Sequence, residues 1–405
     1  MRPPRGKGRG KASQKPSTKS RAASPKKPFD MGLIQRGARL RRSPYFEATL
    51  KAGCQAYTVY NHVFLPSRFD DYEAEYWHLL NHVAIWDVAV ERNVEITGPD
   101  GFEFMQRLTP RDLTKCRVGQ GKYVVITDEQ GGILNDPVLL RLDENTFWLA
   151  LADSDILWWA KGVAFQSRLD VRVREAEAYP MQVQGPKSKA LMADLFGDRV
   201  TSLKYYHFTR TDLGDIPVLV TRTGWTGEVG YEIYLLDAAR GTDLWNRVMR
   251  AGRKYNLRPT GPSDIRRIEG GFLNYGADMT VEDTPYHVGL DRLVNLDKGE
   301  FIGREALAQV RETGVDRKLV GIEISGTPID FNETKWPVVD RGKDIGRVTS
   351  AIYSPRLKKN IGYAMVPIDR ADLGTGFSVR HPQGLRRATV AGMPFLDPKK
   401  EIPKT

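Results

Sequence analysis

Apolar side chains recur along this chain with two periods. Residues 71–82 (DYEAEYWHLLNH) place them three and four apart, the spacing of a helix with one buried stripe. Residues 93–97 (NVEIT) alternate apolar with polar, the period of a strand, and the turn Gly98-Pro99-Asp100-Gly101 leads into a second helix over 102–108. Strands are predicted at 123–127 and 133–142, joined by the hairpin sequence Asp128-Glu129-Gln130-Gly131-Gly132, and at 147–151, followed by a helix over 156–165. From 181 a similar order returns: a strand, a Gly185-Pro186 turn, a helix over 188–196, then strands at 218–222 and 231–235 around a glycine-bearing turn. Helices mixed with antiparallel pairs predict an α+β fold, not a regular doubly wound sheet.

The last ninety residues change character. Short apolar runs at 318–324, 345–350, 360–366, 377–380 and 387–390 are divided by Gly, Pro and Asn, which predicts a small all-β barrel or sandwich beginning near Asp316. The 405 residues suit two to three domains. No run of eighteen apolar residues appears, so a membrane-spanning helix is not expected. Two cysteines, Cys54 and Cys116, are too few for a disulfide framework and fit a reduced, cytoplasmic setting.

The net charge of +11 invites a nucleic-acid reading until its distribution is seen. Residues 1–30 hold ten Lys and Arg and one Asp, which is +9 of the total. That head is rich in Pro, Gly and Ser and reads as a disordered basic tail. With only +2 left for residues 31–405, neither a nucleic-acid nor a membrane partner is expected. Phosphate-loop and hydrolase-elbow motifs are absent, and the six scattered histidines make no metal spacing, so no metal site is expected. Chemistry here falls to carboxylates and aromatics. Asp136, inside an otherwise apolar strand pattern (ILNDPVLL), is costly to bury unless it is bonded or used, although a turn-end aspartate before Pro137 is an equal reading.

These segments resemble the folate-binding aminomethyltransferase family, typified by the T-protein of the glycine cleavage system. The matching blocks are 94–100 (VEITGPD), 108–113 (LTPRDL), 119–137 (GQGKYVVITDEQGGILNDP), 184–187 (QGPK), 222–234 (RTGWTGEVGYEIY), 267–271 (RIEGG), 296–307 (LDKGEFIGREAL), 346–361 (GRVTSAIYSPRLKKNI) and 392–395 (GMPF). Five more, at 40–45 (LRRSPY), 56–66 (AYTVYNHVFLP), 85–91 (IWDVAVE), 135–138 (NDPV) and 148–162 (WLALADSDILWWAKG), look more like the dimethylsulfoniopropionate demethylases of the same family. The loop RTGWTGE is closer to the T-protein type, apart from Trp225 where the T-protein has tyrosine.

The resemblance implies a three-domain cloverleaf around a central folate channel. Its parts would be an interleaved pair of α+β domains within 31–315 (roughly 31–91 plus 177–274, and 92–176 plus 275–315) and a β-barrel over 316–398. It implies tetrahydrofolate as cofactor, Asp136 as the catalytic aspartate, Tyr123, Trp225 and Glu232 around the pterin, and Tyr234 on the substrate side. Tyr57 and Tyr60 could join an aromatic cage for an onium head, with a core role the stronger reading for both. Three T-protein positions differ: its pocket asparagine falls on Ala152, its folate-tail arginine on Ser263, and its pocket tryptophan near Arg292. Its Asp-Val-Ser-His-Met segment is replaced by Asp87-Val88-Ala89-Val90-Glu91, which favours a free small-molecule methyl donor over a lipoyl carrier protein. The implied function is a methyltransferase that demethylates a small onium donor such as dimethylsulfoniopropionate. A glycine-cleavage aminomethyltransferase using a lipoyl carrier is the alternative, and a non-catalytic folate-binding regulator the second.

Overall fold

The computed structural model describes Met1 and residues 37–405; the basic tail expected over 1–30 lies, Met1 apart, outside the described residues. A six-stranded sheet runs in the order Phe208–Leu213, Ile216–Thr221, Gly230–Leu235, Tyr179–Gln184, Val83–Asp87, Leu257–Pro259, antiparallel except for the last pair. Period-two alternation splits its residues between two faces. Val83, Ile85, Met181, Val183, Val218, Val220 and Ile233 point to one face and pack on helices Ser188–Phe196 and Gly241–Gly252 through Leu191, Met192, Leu244 and Val248. Each such buried aliphatic side chain contributes ~1.5–3 kcal/mol.

A five-stranded antiparallel sheet follows the order Arg172–Glu175, Asn93–Thr97, Thr146–Ala150, Val138–Asp143, Gly121–Tyr123. Val94, Ile96, Leu139, Phe147 and Leu149 bury one of its faces against helices Gly101–Leu108 and Ile156–Ser167. From its other face Leu140 and Trp148 pack on Leu219 and Tyr234 of the six-stranded sheet, so the two sheets meet face to face. Helix Tyr72–Asn81 begins where the spacing predicts, with the Asp71 carboxylate accepting from the amides of Glu73 and Ala74, a cap worth ~1 kcal/mol.

The C-terminal segment closes into a six-stranded barrel, Arg317–Ile324, Lys359–Pro367, Lys343–Ser354, Trp336–Asp340, Gly376–His381, Gly384–Ala391, filled by Ile322, Val338, Val348, Ala364 and Val379. Strand Trp336–Asp340 escaped the sequence pattern because Pro337 interrupts a five-residue run. Among the described residues no helix is long and apolar enough to cross a membrane.

One prediction needs correcting. The strands expected at 123–127 and 133–142 are each broken in two, into Gly121–Tyr123 with Ile126–Thr127, and Ile133–Asn135 with Val138–Asp143. Both breaks fall at the same level of the hairpin, where Pro137 has no N–H for the ladder and keeps only its carbonyl bonded, to the Val124 amide. The inner halves join the five-stranded sheet and the outer halves pair alone. Asp136 therefore stands at a break between strands, not in mid-strand.

Candidate active site

Four side chains line up across the polar face of the six-stranded sheet. Strand register sets Trp86 beside Gln182, Gln182 beside Glu232, and Glu232 beside Thr221. The Glu232 carboxylate, 5% exposed, accepts from Gln182 Nε2 at 2.9 Å, Thr223 Oγ1 at 2.8 Å, the Tyr234 hydroxyl at 3.0 Å and Thr221 Oγ1 at 3.3 Å. Those four donors fill its usual acceptor capacity. Burial raises Glu232 even so, and burial also lifts Tyr234 well above the ordinary tyrosine range. Two polar atoms on this row, Trp86 Nε1 and Gln182 Oε1, are buried without a partner.

Asp136 faces Tyr123 across the broken hairpin, where the Tyr123 hydroxyl donates to Asp136 Oδ2 at 2.8 Å. Asp136 Oδ1 is buried with no partner. Burial pushes this carboxyl up to about 7 against the pull of the Tyr123 bond, and burial beside Asp136 carries Tyr123 upward as well.

Two asparagines hold the loops around these groups. Asn61 and His62 both have positive φ and form the two-residue turn between strands Ala56–Tyr60 and Val63–Arg68, a conformation asparagine tolerates well. From that turn Asn61 Nδ2 donates to the carbonyls of Val90, Leu151 and Ala152, and its amide donates to Asp153 Oδ1 at 2.7 Å. Asn135 donates to the Ala152 carbonyl at 2.9 Å and accepts from the Ala152 amide at 3.0 Å. Residues 90, 135 and 152 are thus tied together, which brings Glu91 and Asp136 to the same place.

Glu91 went unremarked as a site residue in the sequence, yet it completes the cluster. Burial raises it well above the glutamate range, with the charges of Glu232 and Asp136 adding to the shift. Its carboxylate accepts no hydrogen bond from any described residue, and neither it, Asp136 nor Glu232 forms an ion pair among the described residues. Tyr60 lies beside it, raised by burial and then by Glu91, Asp136 and Asp153, and packs with Trp86, Val88 and Val90. Trp225 joins that group, its ring 6.2 Å from Trp86.

The structure therefore brings together Tyr60, Tyr123, Asp136, Glu232, Tyr234 and Trp225, and adds Glu91, Trp86 and Gln182. Tyr57 is placed apart, packed on Phe46 and Phe64 with its hydroxyl 2.8 Å from Thr49 Oγ1. Of the three differing positions, Ala152 serves through its backbone, Ser263 Oγ caps helix Asp264–Glu269 by accepting from the Arg266 amide, and Arg292 is exposed with its charge acting on Tyr123 and Arg111. Among the described residues no group of His, Cys, Asp and Glu is arranged to hold a metal.

The comparisons with known proteins agree with this frame. Residues 41–298 match the family described as the GCVT N-terminal domain, and 317–397 match the glycine cleavage T-protein C-terminal barrel domain. The chain is 39% identical over 360 residues to the dimethylsulfoniopropionate demethylase DmdA of Ruegeria pomeroyi, covering 89% of this chain and 98% of that protein. It is 30% identical over 363 residues to an aminomethyltransferase of Halothermothrix orenii, covering 88% and 100%. The crystal structure of the glycine cleavage system aminomethyltransferase T from Bartonella henselae superposes with a TM-score of 0.80 at 25% identity, over 88% of this chain and 98% of that one. With both halves matched and the three-part architecture shared, the chain belongs to the glycine cleavage T-protein family of transferases.

Proposed function

We propose that this protein is a tetrahydrofolate-dependent methyltransferase that demethylates a small onium donor, with dimethylsulfoniopropionate the first candidate. The observation that carries the reading is Asp136: a buried carboxyl, held from one side by Tyr123, whose second oxygen has no partner inside the protein. Likeness to the Ruegeria demethylase, greater than to the aminomethyltransferases above, supports the donor class.

The residues present fit a pterin. Glu232 is the acceptor for the ring's paired N–H donors, the Thr221 hydroxyl at 3.3 Å being the weakest bond it would exchange for them. Gln182 Oε1 and Trp86 Nε1 offer an acceptor and a donor with no internal partner, and Tyr123 stands at the Asp136 side. Bound there, tetrahydrofolate supplies a nucleophilic N5 to receive the methyl carbon. Asp136 as carboxylate takes the N5 proton through Oδ1 while Tyr123 fixes Oδ2, and the same charge stabilises a cationic donor. The enzyme needs no covalent adduct of its own, since holding donor and acceptor in line supplies much of the rate. The bond pair from the departing methyl stays on sulfur, leaving a neutral thioether.

Glycine-cleavage aminomethyl transfer is the second reading, favoured by the loop RTGWTGE and by the aminomethyltransferase relatives. Incubation with tetrahydrofolate and a panel of methylated onium compounds, scored by mass, separates the two. The proposal expects 5-methyl-tetrahydrofolate from an onium donor. Formation of 5,10-methylene-tetrahydrofolate from an aminomethyl-lipoyl carrier, with the onium panel ignored, would overturn it.

A further inference from the structure

We infer that Glu91 is the residue that reads the positive charge of the donor, a specificity-determining contact within a cage completed by Tyr60, Trp86 and Trp225. This rests on the methyl-transfer reading, in which Asp136 stabilises the donor's charge during transfer, and goes beyond it by assigning recognition of that charge on binding to a second side chain.

The placement is the first argument. Asn61 bonds the carbonyl of Val90, one residue before Glu91, and also the carbonyl of Ala152, which Asn135 bonds from one residue before Asp136. The same two asparagines thus set the positions of both acids. The glutamate loop is stiffened further by Glu91 N to Val88 O and by Asn93 Nδ2 to Glu91 O. Side chains of 88 and 90 go into an apolar cluster with Trp86 and Val63, with Tyr60 and Trp225 packed on it. Glu91 therefore leaves a rigid apolar wall that carries three aromatic rings.

Charge balance is the second. Three acids share one buried region, and each has a different supply of donors. Glu232 has four and Asp136 has one, whereas Glu91 has none among the described residues. The nearest cation on the aromatic wall is Arg267, over Trp225 at 5.6 Å, and it is already held by Asp264 and Asp278. Arg292 acts on Tyr123 but is exposed. Glu91 is only partly enclosed, so solvent reaches its carboxylate until a ligand covers it, and a ligand that does so must bring the compensating charge. Trp86 Nε1, buried and unpartnered, marks the same wall as built for something absent from the protein itself. The pterin is neutral, so its binding at Glu232 leaves the excess negative charge in place. A sulfonium or quaternary ammonium satisfies both wall and acid, because it has no N–H to donate and is held by charge and aromatic faces alone.

The test uses the full chain saturated with the unreactive product 5-methyl-tetrahydrofolate. Calorimetry then compares dimethylsulfoniopropionate, a zwitterion, with its carbon isostere 4-methylpentanoate, an anion of the same shape and carboxylate whose branching centre is an uncharged carbon. The parent should prefer the sulfonium, Glu91→Gln should lose that preference roughly ten- to a hundredfold, and Glu91→Asp should keep most of it. Retention of the preference in Glu91→Gln would overturn the assignment while leaving the methyl-transfer reading intact. No preference in the parent would overturn the donor class and the assignment with it. A melting curve of the ligand-free protein at pH 8 gives a second readout. Glu91→Gln should melt at the same temperature or higher, because repulsion from Glu232 and Asp136 is relieved, and a lower melting temperature would mean that Glu91 serves the fold instead.

Discussion

Two buried clusters of charge in this protein are built on opposite plans. Around helix Asp264–Glu269 two arginines are fully enclosed, and each is matched. Arg267, 0% exposed, donates to Asp264 at 2.7 Å, Asp278 at 2.9 Å and Ser350 at 2.8 Å, while Asp278 also accepts from Thr349 and Ser350. Arg266 donates to Glu228 at 2.8 Å, and Glu269 accepts from Tyr76 and Ser354. These bonds tie the helix to the barrel strand Lys343–Ser354 and to helix Tyr72–Asn81. At Glu91, Asp136 and Glu232 there are three acids, and none of them is paired with a base among the described residues. In the paired cluster even the two atoms left without a hydrogen bond, Arg266 Nη1 and Glu269 Oε2, face each other at 3.9 Å, and the cluster works as a joint; an acid-only cluster is completed by what binds to it.

Breaking the paired cluster should do the most damage. Arg267→Met leaves Asp278 buried without its cation, and unfolding in urea should show a loss of ~3–5 kcal/mol; a loss below ~1 kcal/mol would erase the contrast. Asp136→Asn should behave in the opposite way, with turnover of an onium donor down ~10²-fold or more and the ligand-free melting temperature at pH 8 unchanged or raised. A fall in melting temperature would class Asp136 with the arginine joint. Glu232→Ala removes the acceptor for the pterin and should weaken tetrahydrofolate binding by ~1.5–3 kcal/mol in calorimetry; unchanged affinity would remove Glu232 from the site.

The pH dependence is smaller and has two signs. Asp136 is raised by burial to about 7, so below that pH it carries a proton and activity should fall roughly tenfold per unit. Tyr123 and Tyr60 also face it but stay protonated throughout, and Asp278 and Glu91 bear on it as acids. Stability moves the other way. An acid raised on folding binds more protons in the native state, so its contribution improves as pH falls from about 7 toward the ordinary carboxylate range. Activity that stays flat down to pH 5 would contradict this. Least of all should come from the exposed pair Arg380–Asp344, at 2.7 Å, where Arg380→Ala should leave the urea midpoint where it was.

Much of this could be read from the sequence, for a local reason. Helix Ser188–Phe196 and strand Asn93–Thr97 announce themselves by spacing, and the barrel by its Gly and Pro punctuation. Asp136 stands out because an acid in an apolar pattern is visible at a glance, although the strand break that frees it depends on what Pro137 does to a ladder. The row Trp86, Gln182, Glu232 is invisible in the sequence, since strand pairing joins residues 96 and 50 positions apart. Glu91 was hidden for another reason: its stretch IWDVAVE is an apolar run broken by Asp87, and a glutamate at the end of such a run resembles an ordinary solvent-facing residue. Arg266 and Arg267 escaped in the same way, because arginines are rarely enclosed.

The two asparagines give the site one further property. Asn61 and Asn135 grip main-chain carbonyls and a main-chain amide, groups that every residue but proline presents alike. The loops they fix are indifferent to which side chains project from positions 91 and 152. Descent with substitution could therefore exchange the glutamate at 91 for a sulfur-bearing or polar residue, and with it the donor, while the scaffold and the base at 136 stayed in register. A lineage built on such fastenings diversifies its substrates one side chain at a time.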